Sequence, residues 1–384
     1  MRIGIDASLL LRERSGIAQY IHHLISALGR IDSHNQYILG FMSGKREQLT
    51  IPSYGYSNFS SSTVAVSSRQ MQIATGLGRW RLPARCYPFD GVDIVHWPNY
   101  LLLPGVNGKQ VITICDLTFL MFPDQHPWFR AKGLAWAVKR SVAEANAVMV
   151  ISECTKRDVV KHLGVPESKI HVTYCGTSSR FQPISSEQRC PVLKKYQLPT
   201  DGYLLYVGNI EPRKNLVRLV EAYALLKKQT TCQFPLILAG GAGWKNDGVH
   251  KRIEDMALAD AIRLIGYVPD EDLPAVMSGA TLFLYPSLYE GFGLPPLEAM
   301  ACGTPVVASN TSSLPEVVGD AALTVDPYDV EGLTKAMEQL LTDQELQNEM
   351  RTRGLARAKL FSWERTARET LKVYEEVYAK GRLG

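Results

Sequence analysis

The residues best suited to chemistry in this sequence are two carboxylates, Glu290 and Glu298. An apolar run at 282–285 precedes them and predicts a buried strand. The loop at 290–294, EGFGL, contains two glycines, which let backbone N–H groups come close to a ligand. The prolines that follow fit the first turn of a helix, which predicts that Glu298 lies on that helix.

A strand, a glycine loop and a helix in this order form one α/β unit. Its loop is expected at the carboxyl edge of a parallel sheet, where such sheets bind ligands. Unpaired N–H groups at the helix start attract anions such as phosphate. Alternatively, Glu298 only complements the helix dipole and Glu290 is a solvated loop residue. Their placement around one glycine loop favours a binding site.

A second candidate site is the basic pair Arg213 and Lys214. Residues 203–207 predict a strand and residues 216–228 predict a helix, so the pair lies between a strand end and a helix start. Fixed positive charges beside backbone N–H groups suit a diphosphate. The alternative is an ordinary surface pair, but positive charge is mildly unfavourable at a helix start, which favours a functional role.

Two polar side chains end predicted strands in the first half of the chain. His96 ends the strand at 92–96, and Asp116 ends the strand at 111–116. Because the carboxyl ends of parallel strands meet at one edge, we expect both side chains to face the same cleft. The alternative for each is a packing or capping role.

Strand patterns alternate with amphipathic helices throughout, which predicts an α/β protein with parallel sheets. The length of 384 residues indicates two domains, which we place at 1–182 and 183–364. The first begins with a strand at 3–6 and a helix at 17–28. Another strand is predicted at 62–66.

Composition excludes several protein classes. The chain is 46% hydrophobic and 21% charged, and its net charge of +4 is too mild to imply nucleic-acid binding. No apolar run reaches the roughly 18 residues that span a bilayer, and the first residues fit a strand better than a signal peptide. Seven scattered cysteines without a C-x-x-C pair favour reduced thiols over a zinc site.

Two further patterns each allow more than one interpretation. Asp270 and Asp272 form a D-x-D, a metal signature elsewhere, but they precede a predicted helix and are interpreted as N-terminal caps. The segments 79–85 and 128–136 combine basic and aromatic residues, which suits peripheral contact with a membrane or a lipid phosphate. The alternative for these segments is a solvated helix face.

The stretch EGFGLPPLE, with seven residues between Glu290 and Glu298, continues into AMACGTPVVAS and SLPEVVGDAAL. With EPRKN at 211–215, it resembles the retaining glycosyltransferases of family 4, which include many bacterial α-mannosyltransferases. The resemblance is specific in these stretches and extends more weakly over nearly the whole chain. It implies the GT-B fold, two Rossmann-like domains facing across a cleft, with a helix at about 365–384 packed on the first domain.

The resemblance also implies roles for named residues. Lys214 and Arg213 would bind the donor diphosphate, Glu298 the ribose and Glu290 the sugar, while the acceptor would enter near His96 and Asp116. The implied catalytic residues are Glu290, Lys214, Arg213 and Asp116. The implied donor-binding residues are Gly16, Arg213, Lys214, Val268, Glu290, Gly291, Phe292, Gly293, Leu294 and Glu298.

Two positions depart from the family pattern. Relatives usually have histidine at the position of Cys115, and a thiol forms weaker hydrogen bonds. Many relatives also have an arginine five residues before the lysine, where this chain has Asn209. Arg213 would supply the missing charge.

The resemblance implies a retaining transfer without a metal or other cofactor. We expect front-face attack with the leaving phosphate as base, because no nucleophile for a double displacement is evident. The expected donor is GDP-mannose, and the expected acceptor is a polyprenyl-diphosphate-linked polysaccharide such as an O-antigen. The expected location is the cytoplasm, with peripheral contact at the inner face of the cytoplasmic membrane.

Three alternatives stay open at this point. A transferase of the same fold would use a UDP- or dTDP-sugar. A sugar-nucleotide epimerase or a phosphorylase would use the same scaffold for another reaction, although the two paired motifs argue against both. A non-catalytic subunit would only bind the nucleotide sugar.

Overall fold

The computed structural model describes residues 1–11, 16–43, 51–66, 87–103, 105–123, 128–241 and 247–380, with only the backbone at 128–132. The chain forms two compact units. Unit 1 comprises Met1–Gly176 and Trp363–Gly384, and unit 2 comprises Thr177–Ser362. The predicted boundary after residue 182 lies a few residues beyond this division. The basic-aromatic segment predicted at 79–85 lies outside the described residues.

Strands occupy the centre of each unit. They are β1 (Arg2–Asp6), β2 (Gln36–Ser43), β3 (Phe59–Ala65), β4 (Ile94–Trp97), β5 (Lys109–Ile114), β6 (Ala147–Val150), β7 (Ile170–Val172), β8 (Leu204–Val207), β9 (Leu236–Ala239), β10 (Ile262–Gly266), β11 (Leu282–Tyr285), β12 (Val306–Ser309) and β13 (Leu323–Val325).

Helices connect most of these strands. They are α1 (Gly16–Ile31), α2 (Thr118–Met121), α3 (Trp128–Glu144), α4 (Glu153–Asp158), α5 (Ser186–Lys195), α6 (Leu216–Gln229), α7 (Asp247–Asp255), α8 (Leu273–Gly279), α9 (Leu294–Ala301), α10 (Leu314–Val318), α11 (Val330–Thr342), α12 (Gln344–Ala358) and α13 (Trp363–Lys380).

Both sheets are parallel, as the alternation of strand and helix patterns predicted. The order in unit 1 is β3-β2-β1-β4-β5-β6-β7, and the order in unit 2 is β10-β9-β8-β11-β12-β13. Helices cover the faces of such sheets, and β11 and β12 are accordingly buried at every position. The strand order reverses between β1 and β4 in unit 1 and between β8 and β11 in unit 2.

The predicted elements differ from the observed ones mainly at their ends. The helix predicted at 17–28 extends over Gly16–Ile31, and the strand predicted at 62–66 is Phe59–Ala65. The strand predicted at 282–285 is confirmed as β11. Within the described ranges, no helix is long and apolar enough to cross a membrane.

The C-terminal helix α13 belongs to unit 1 and packs against His96. His96 Nδ1 lies 2.6 Å from the Tyr374 hydroxyl on α13, and His96 Nε2 lies 2.7 Å from Thr113 Oγ1 on β5. The His96 side chain is fully buried. The prediction that His96 faces a cleft is therefore wrong, because both ring nitrogens already have partners inside the unit.

Burial lowers the pKa of His96 to about 3, so the imidazole is neutral in the folded protein. In the unfolded chain, its pKa returns to about 6.5 and the unfolded state takes up the proton first. The free energy of unfolding of unit 1 should therefore fall as the pH drops from 6.5 towards 3.

We expect this histidine to remove about 2 kcal/mol from the free energy of unfolding between pH 7 and pH 5. The measurement is denaturant unfolding at both pH values, followed by tryptophan fluorescence, for the wild type and for His96→Gln. The wild type should lose more stability than the variant by this amount. An equal loss in both proteins would contradict the assignment.

Candidate functional site

The carboxyl edge of the unit 2 sheet carries both motifs that the sequence singled out. β8 is followed by a short 3₁₀ turn, Pro212–Lys214, and then by α6. β11 is followed by the glycine loop and α9. β8 and β11 are neighbours at the reversal of strand order, where connecting loops separate and leave a crevice. The topology therefore brings together residues that are 76 positions apart in the sequence.

An ion network joins the two motifs. Lys214 Nζ lies 2.7 Å from Glu290 Oε1, and Arg213 Nη1 lies 2.8 Å from Glu290 Oε2. Arg213 Nη2 also lies 2.6 Å from Glu211 Oε1, and its Nη1 donates a hydrogen bond to the Tyr289 carbonyl. Each oxygen of the Glu290 carboxylate therefore faces one cation.

Lys214 and Glu290 are each only 7% exposed. Burial raises the pKa of Glu290, but the charges of Arg213 and Lys214 outweigh it and lower the pKa to about 2. Burial lowers the pKa of Lys214, and the Glu290 charge opposes that shift. The carboxylate is therefore ionised at neutral pH and is stabilised by the cations rather than by water.

Asn215 fixes the position of the basic pair. Its backbone is left-handed, with φ at 62°, which asparagine tolerates better than most residues. Its side-chain amide donates to the carbonyl of Pro286, after β11, and to that of Pro327, after β13. The start of α6 is thus tied to two neighbouring loops of the same edge.

The glycine loop is held from the opposite side by the turn that follows β12. Ser312 Oγ accepts a hydrogen bond from the Glu290 backbone N–H, and Ser313 Oγ donates to the carbonyls of Glu290 and Phe292. Gly293 has φ at 111°, a conformation that favours glycine. Ser312 and Ser313 lie three and four residues beyond β12, and no sequence motif singles them out.

Backbone atoms, rather than side chains, line the sheet edge beside the basic pair. Gly208 follows β8 with φ at 150°, and Gly240 follows β9 with φ at 149°. A Cβ atom at Gly240 would overlap the carbonyl group of Gly208. Glycine is therefore required where these two turns pack against each other, and no side chain projects from either position.

Glu298 lies on α9, beyond the glycine loop, and is half-buried. Burial raises its pKa to about 7, with Arg180 opposing the shift and Asp270 adding to it. Arg180 Nη1 lies 3.6 Å from Asp270 Oδ2. Val268, in the same turn as Asp270, is buried. The Glu298 carboxyl group therefore interacts electrostatically with the turn that follows β10.

The interpretation of the D-x-D as a helix cap is wrong. Asp272 occupies the position before α8, but its side chain caps no backbone N–H. Its Oδ2 instead accepts hydrogen bonds from Lys195 Nζ, at 2.7 Å, and from the Tyr196 hydroxyl, at 2.6 Å. Both partners lie at the end of α5, so this aspartate fastens α5 to α8.

The other predicted residues belong to unit 1. Asp116 is half-buried, and its Oδ1 accepts hydrogen bonds from the backbone N–H and the hydroxyl of Thr118, at the start of α2. Cys115 is buried, and burial raises the pKa of its thiol. Gly16 begins α1 and is exposed, and no described residue lies within 4 Å of the position that an added Cβ would take.

The site is therefore a pair of cations beside a glycine loop at the switch point of a doubly wound sheet, an arrangement suited to a phosphorylated ligand. The family model described as "Glycosyl transferases group 1" matches residues 193–357, and the one described as "Glycosyltransferase Family 4" matches residues 14–180. The chain belongs to glycosyltransferase family 4.

Individual proteins agree with this assignment. An Escherichia coli protein named O-antigen chain mannosyltransferase B is 42% identical over 282 residues, which are 73% of this chain and 74% of that protein. The MMP alpha-(1->4)-mannosyltransferase of Mycolicibacterium hassiacum is 30% identical over 63% of this chain and 57% of its own length. The structure of sucrose-phosphate synthase from Thermosynechococcus elongatus matches with a TM-score of 0.76 at 21% identity and covers 99% of both chains. The GT-B fold predicted from the motifs is confirmed.

The ion network makes a prediction about stability. Replacing Glu290 with alanine leaves Lys214 buried without its counterion, which should lower the free energy of unfolding by about 3 to 5 kcal/mol. The double variant Glu290→Ala/Lys214→Met removes both buried charges and should lose less than Glu290→Ala alone. Urea denaturation of the three proteins measures this difference.

A matched control is Glu221→Ala, which breaks the ion pair between Glu221 Oε1 and Arg252 Nη2 at 2.9 Å on the surface of the same unit. That change should cost no more than about 1 kcal/mol. A double variant that loses as much stability as Glu290→Ala, or more, would show that Lys214 and Glu290 do not depend on each other.

Proposed function

We propose that this glycosyltransferase moves mannose from GDP-mannose to a polyprenyl-diphosphate-linked polysaccharide in O-antigen synthesis, with retention of configuration and without a metal. The observation that carries the donor site is the pair of cations, buried Lys214 and partly buried Arg213, against Glu290. Support for mannose comes from the two mannosyltransferase relatives. The proposed location is the cytoplasm, with peripheral membrane contact.

Charge explains how this network would serve the reaction. A nucleotide sugar carries two negative charges on its diphosphate, and the leaving nucleoside diphosphate gains a further one as the glycosidic bond breaks. Arg213 and Lys214 would stabilise that developing charge in a site already shielded from water. They would replace the divalent cation that other transferases use for the same purpose.

Glu290 has a second part in the proposal. Its carboxylate accepts hydrogen bonds from both cations, so a diphosphate bound there would compete with it for the same N–H donors. Once released, the carboxylate would lie beside the sugar and accept hydrogen bonds from its hydroxyl groups. Backbone groups of the loop at 291–294 would hold the same sugar. Donor binding would thus exchange one ion pair for another rather than create an uncompensated buried charge.

Further residues have roles of their own in the proposal. Glu298 would accept hydrogen bonds from the ribose, and Val268 would contact the base through backbone groups. Asp116, with one carboxylate oxygen committed to Thr118, would orient the acceptor hydroxyl with the other. The leaving phosphate would act as the base for attack on the same face of the sugar.

The test of the proposed function is transfer itself. The purified chain is assayed with GDP-mannose, UDP-glucose and dTDP-sugars and a polyprenyl-diphosphate-linked mannan acceptor, and thermal shift ranks the donors. GDP-mannose should give both the largest stabilisation and α-linked product. Stabilisation by a UDP- or dTDP-sugar instead would replace mannose with another donor in the proposal. Binding without transfer to any acceptor would favour a non-catalytic subunit.

Lys214 provides the sharpest loss-of-function prediction. Lys214→Ala should lower the rate of transfer by about a hundredfold, on the scale of losing one preorganised charge contact. The control is Lys195→Ala, which removes an exposed lysine of the same unit that pairs with Asp272. Both proteins are compared at a temperature where circular dichroism shows them folded. An unchanged rate in Lys214→Ala would remove this lysine from the site.

Glu298 predicts a pH dependence of donor binding. Because its pKa is raised to about 7, the unliganded protein carries a proton on Glu298 below pH 7, and only the ionised carboxylate accepts two ribose hydrogen bonds. Donor binding should therefore release a proton, and affinity should rise about tenfold from pH 6 to pH 8. Calorimetry with an intact nucleotide sugar measures it, since its diphosphate does not titrate there. Glu298→Gln should bind with nearly the same affinity at both pH values, and a pH dependence retained in that variant would contradict the role.

A further inference from the structure

Tyr285 contacts Lys214, the lysine of the proposed donor site. It is the last residue of β11 and is almost fully buried. Its hydroxyl oxygen accepts a hydrogen bond from Lys214 Nζ at 2.9 Å, and the ammonium lies 5.2 Å from the centre of its ring. In the sequence, this residue is distinguished only by its place in a predicted buried strand.

The Tyr285 ring cannot easily move. It stacks on Tyr206 of β8, with 5.8 Å between ring centres and 16° between planes, and on Phe283 of its own strand, at 6.0 Å and 19°. Lysine side chains are flexible and have four rotatable bonds, so holding one in place costs conformational entropy. A rigid acceptor on a central strand reduces that cost at the site.

The two acceptors of Lys214 differ in kind. Glu290 lies in a loop and is the group that the diphosphate displaces in the proposed function, whereas Tyr285 lies on a strand and carries no charge. Among the described residues, Tyr285 is the side chain that would still bind the ammonium after this exchange. Burial lowers the pKa of Lys214, so losing an acceptor would favour the neutral amine.

We propose that Tyr285 is a positioning residue, whose hydroxyl keeps the Lys214 ammonium charged and directed at the donor diphosphate while Glu290 is released to the sugar. This inference rests on the proposed function, and it adds a residue from outside the two motifs. The competing explanation is that Tyr285 only packs, in which case its hydroxyl is dispensable for transfer.

The experiment compares Tyr285→Phe with Tyr223→Phe. Each removes one hydroxyl from a fully buried tyrosine of unit 2, and the Tyr223 hydroxyl donates to the Phe234 carbonyl at 2.9 Å, at the opposite edge of the sheet. Tyr285→Phe should lower kcat/KM for the donor about tenfold, the scale of one charge-assisted hydrogen bond. It should also move the alkaline limb of the pH–activity profile to lower pH. Tyr223→Phe should leave both within twofold.

The Lys214→Met background separates positioning from packing. If Tyr285 acts through Lys214, adding Tyr285→Phe to Lys214→Met should cause no further loss of donor affinity or of kcat/KM. The double variant Lys214→Met/Tyr285→Phe removes both polar groups together. Its donor affinity and kcat/KM can therefore be measured even if Tyr285→Phe alone folds poorly. An equal loss in both backgrounds, or a Tyr285→Phe protein as active as Tyr223→Phe with an unmoved pH profile, would overturn the inference.

Failure of this inference is distinguishable from failure of the proposed function. A wild type that transfers no sugar but binds GDP or UDP contradicts catalysis alone, and the same variants then test Tyr285 through the affinity for nucleoside diphosphate. A wild type that binds neither nucleotide overturns both.

Discussion

The functional edge of unit 2 is organised around a buried ion pair at the switch point of its sheet. A lysine and a glutamate from opposite sides of the β8–β11 boundary meet at 2.7 Å, where water has little access. Removing two charges from water is expensive, and a fold tolerates it when each charge has partners in good geometry. Arg213 is the further partner of Glu290, Tyr285 is the further partner of Lys214, and Glu211 in turn pairs with Arg213. The network adds little to the stability of the fold, but it holds its charges in fixed positions. Charges in fixed positions are what binding a diphosphate requires.

The scaffold around this pair is built to keep it in place. Asn215 anchors the basic segment to two loops, and Ser312 and Ser313 anchor the glycine loop to a third. In these contacts, short side chains form hydrogen bonds with backbone groups of the loops. The loops are therefore fixed without large side chains that would fill the crevice. The burial that lowers the pKa of Lys214 also strengthens every charge interaction in the site. In the proposed function, an anionic ligand would compete with Glu290 for this one set of donors.

The sequence predicted what local patterns encode. Strand and helix periodicity gave the α/β class and the two sheets, and the spacing of the glutamates together with the EPRKN segment identified the loops that meet at the edge. Contacts between segments that are far apart in the sequence could not be predicted from local patterns. Nothing near His96 indicates that Tyr374, 278 residues later, closes over it. Asp272 was misinterpreted for the same reason, since its partners lie on α5. Tyr285 looks like any buried strand residue until the position of Lys214 is known.

The most direct test of the central claim is a crystal structure of the chain with GDP bound. The account predicts phosphate oxygens within hydrogen-bonding distance of Lys214 Nζ and the Arg213 guanidinium, with the Glu290 carboxylate moved away from the lysine and the Tyr285 contact retained. GDP bound elsewhere, with the contact between Lys214 and Glu290 unchanged, would contradict the account.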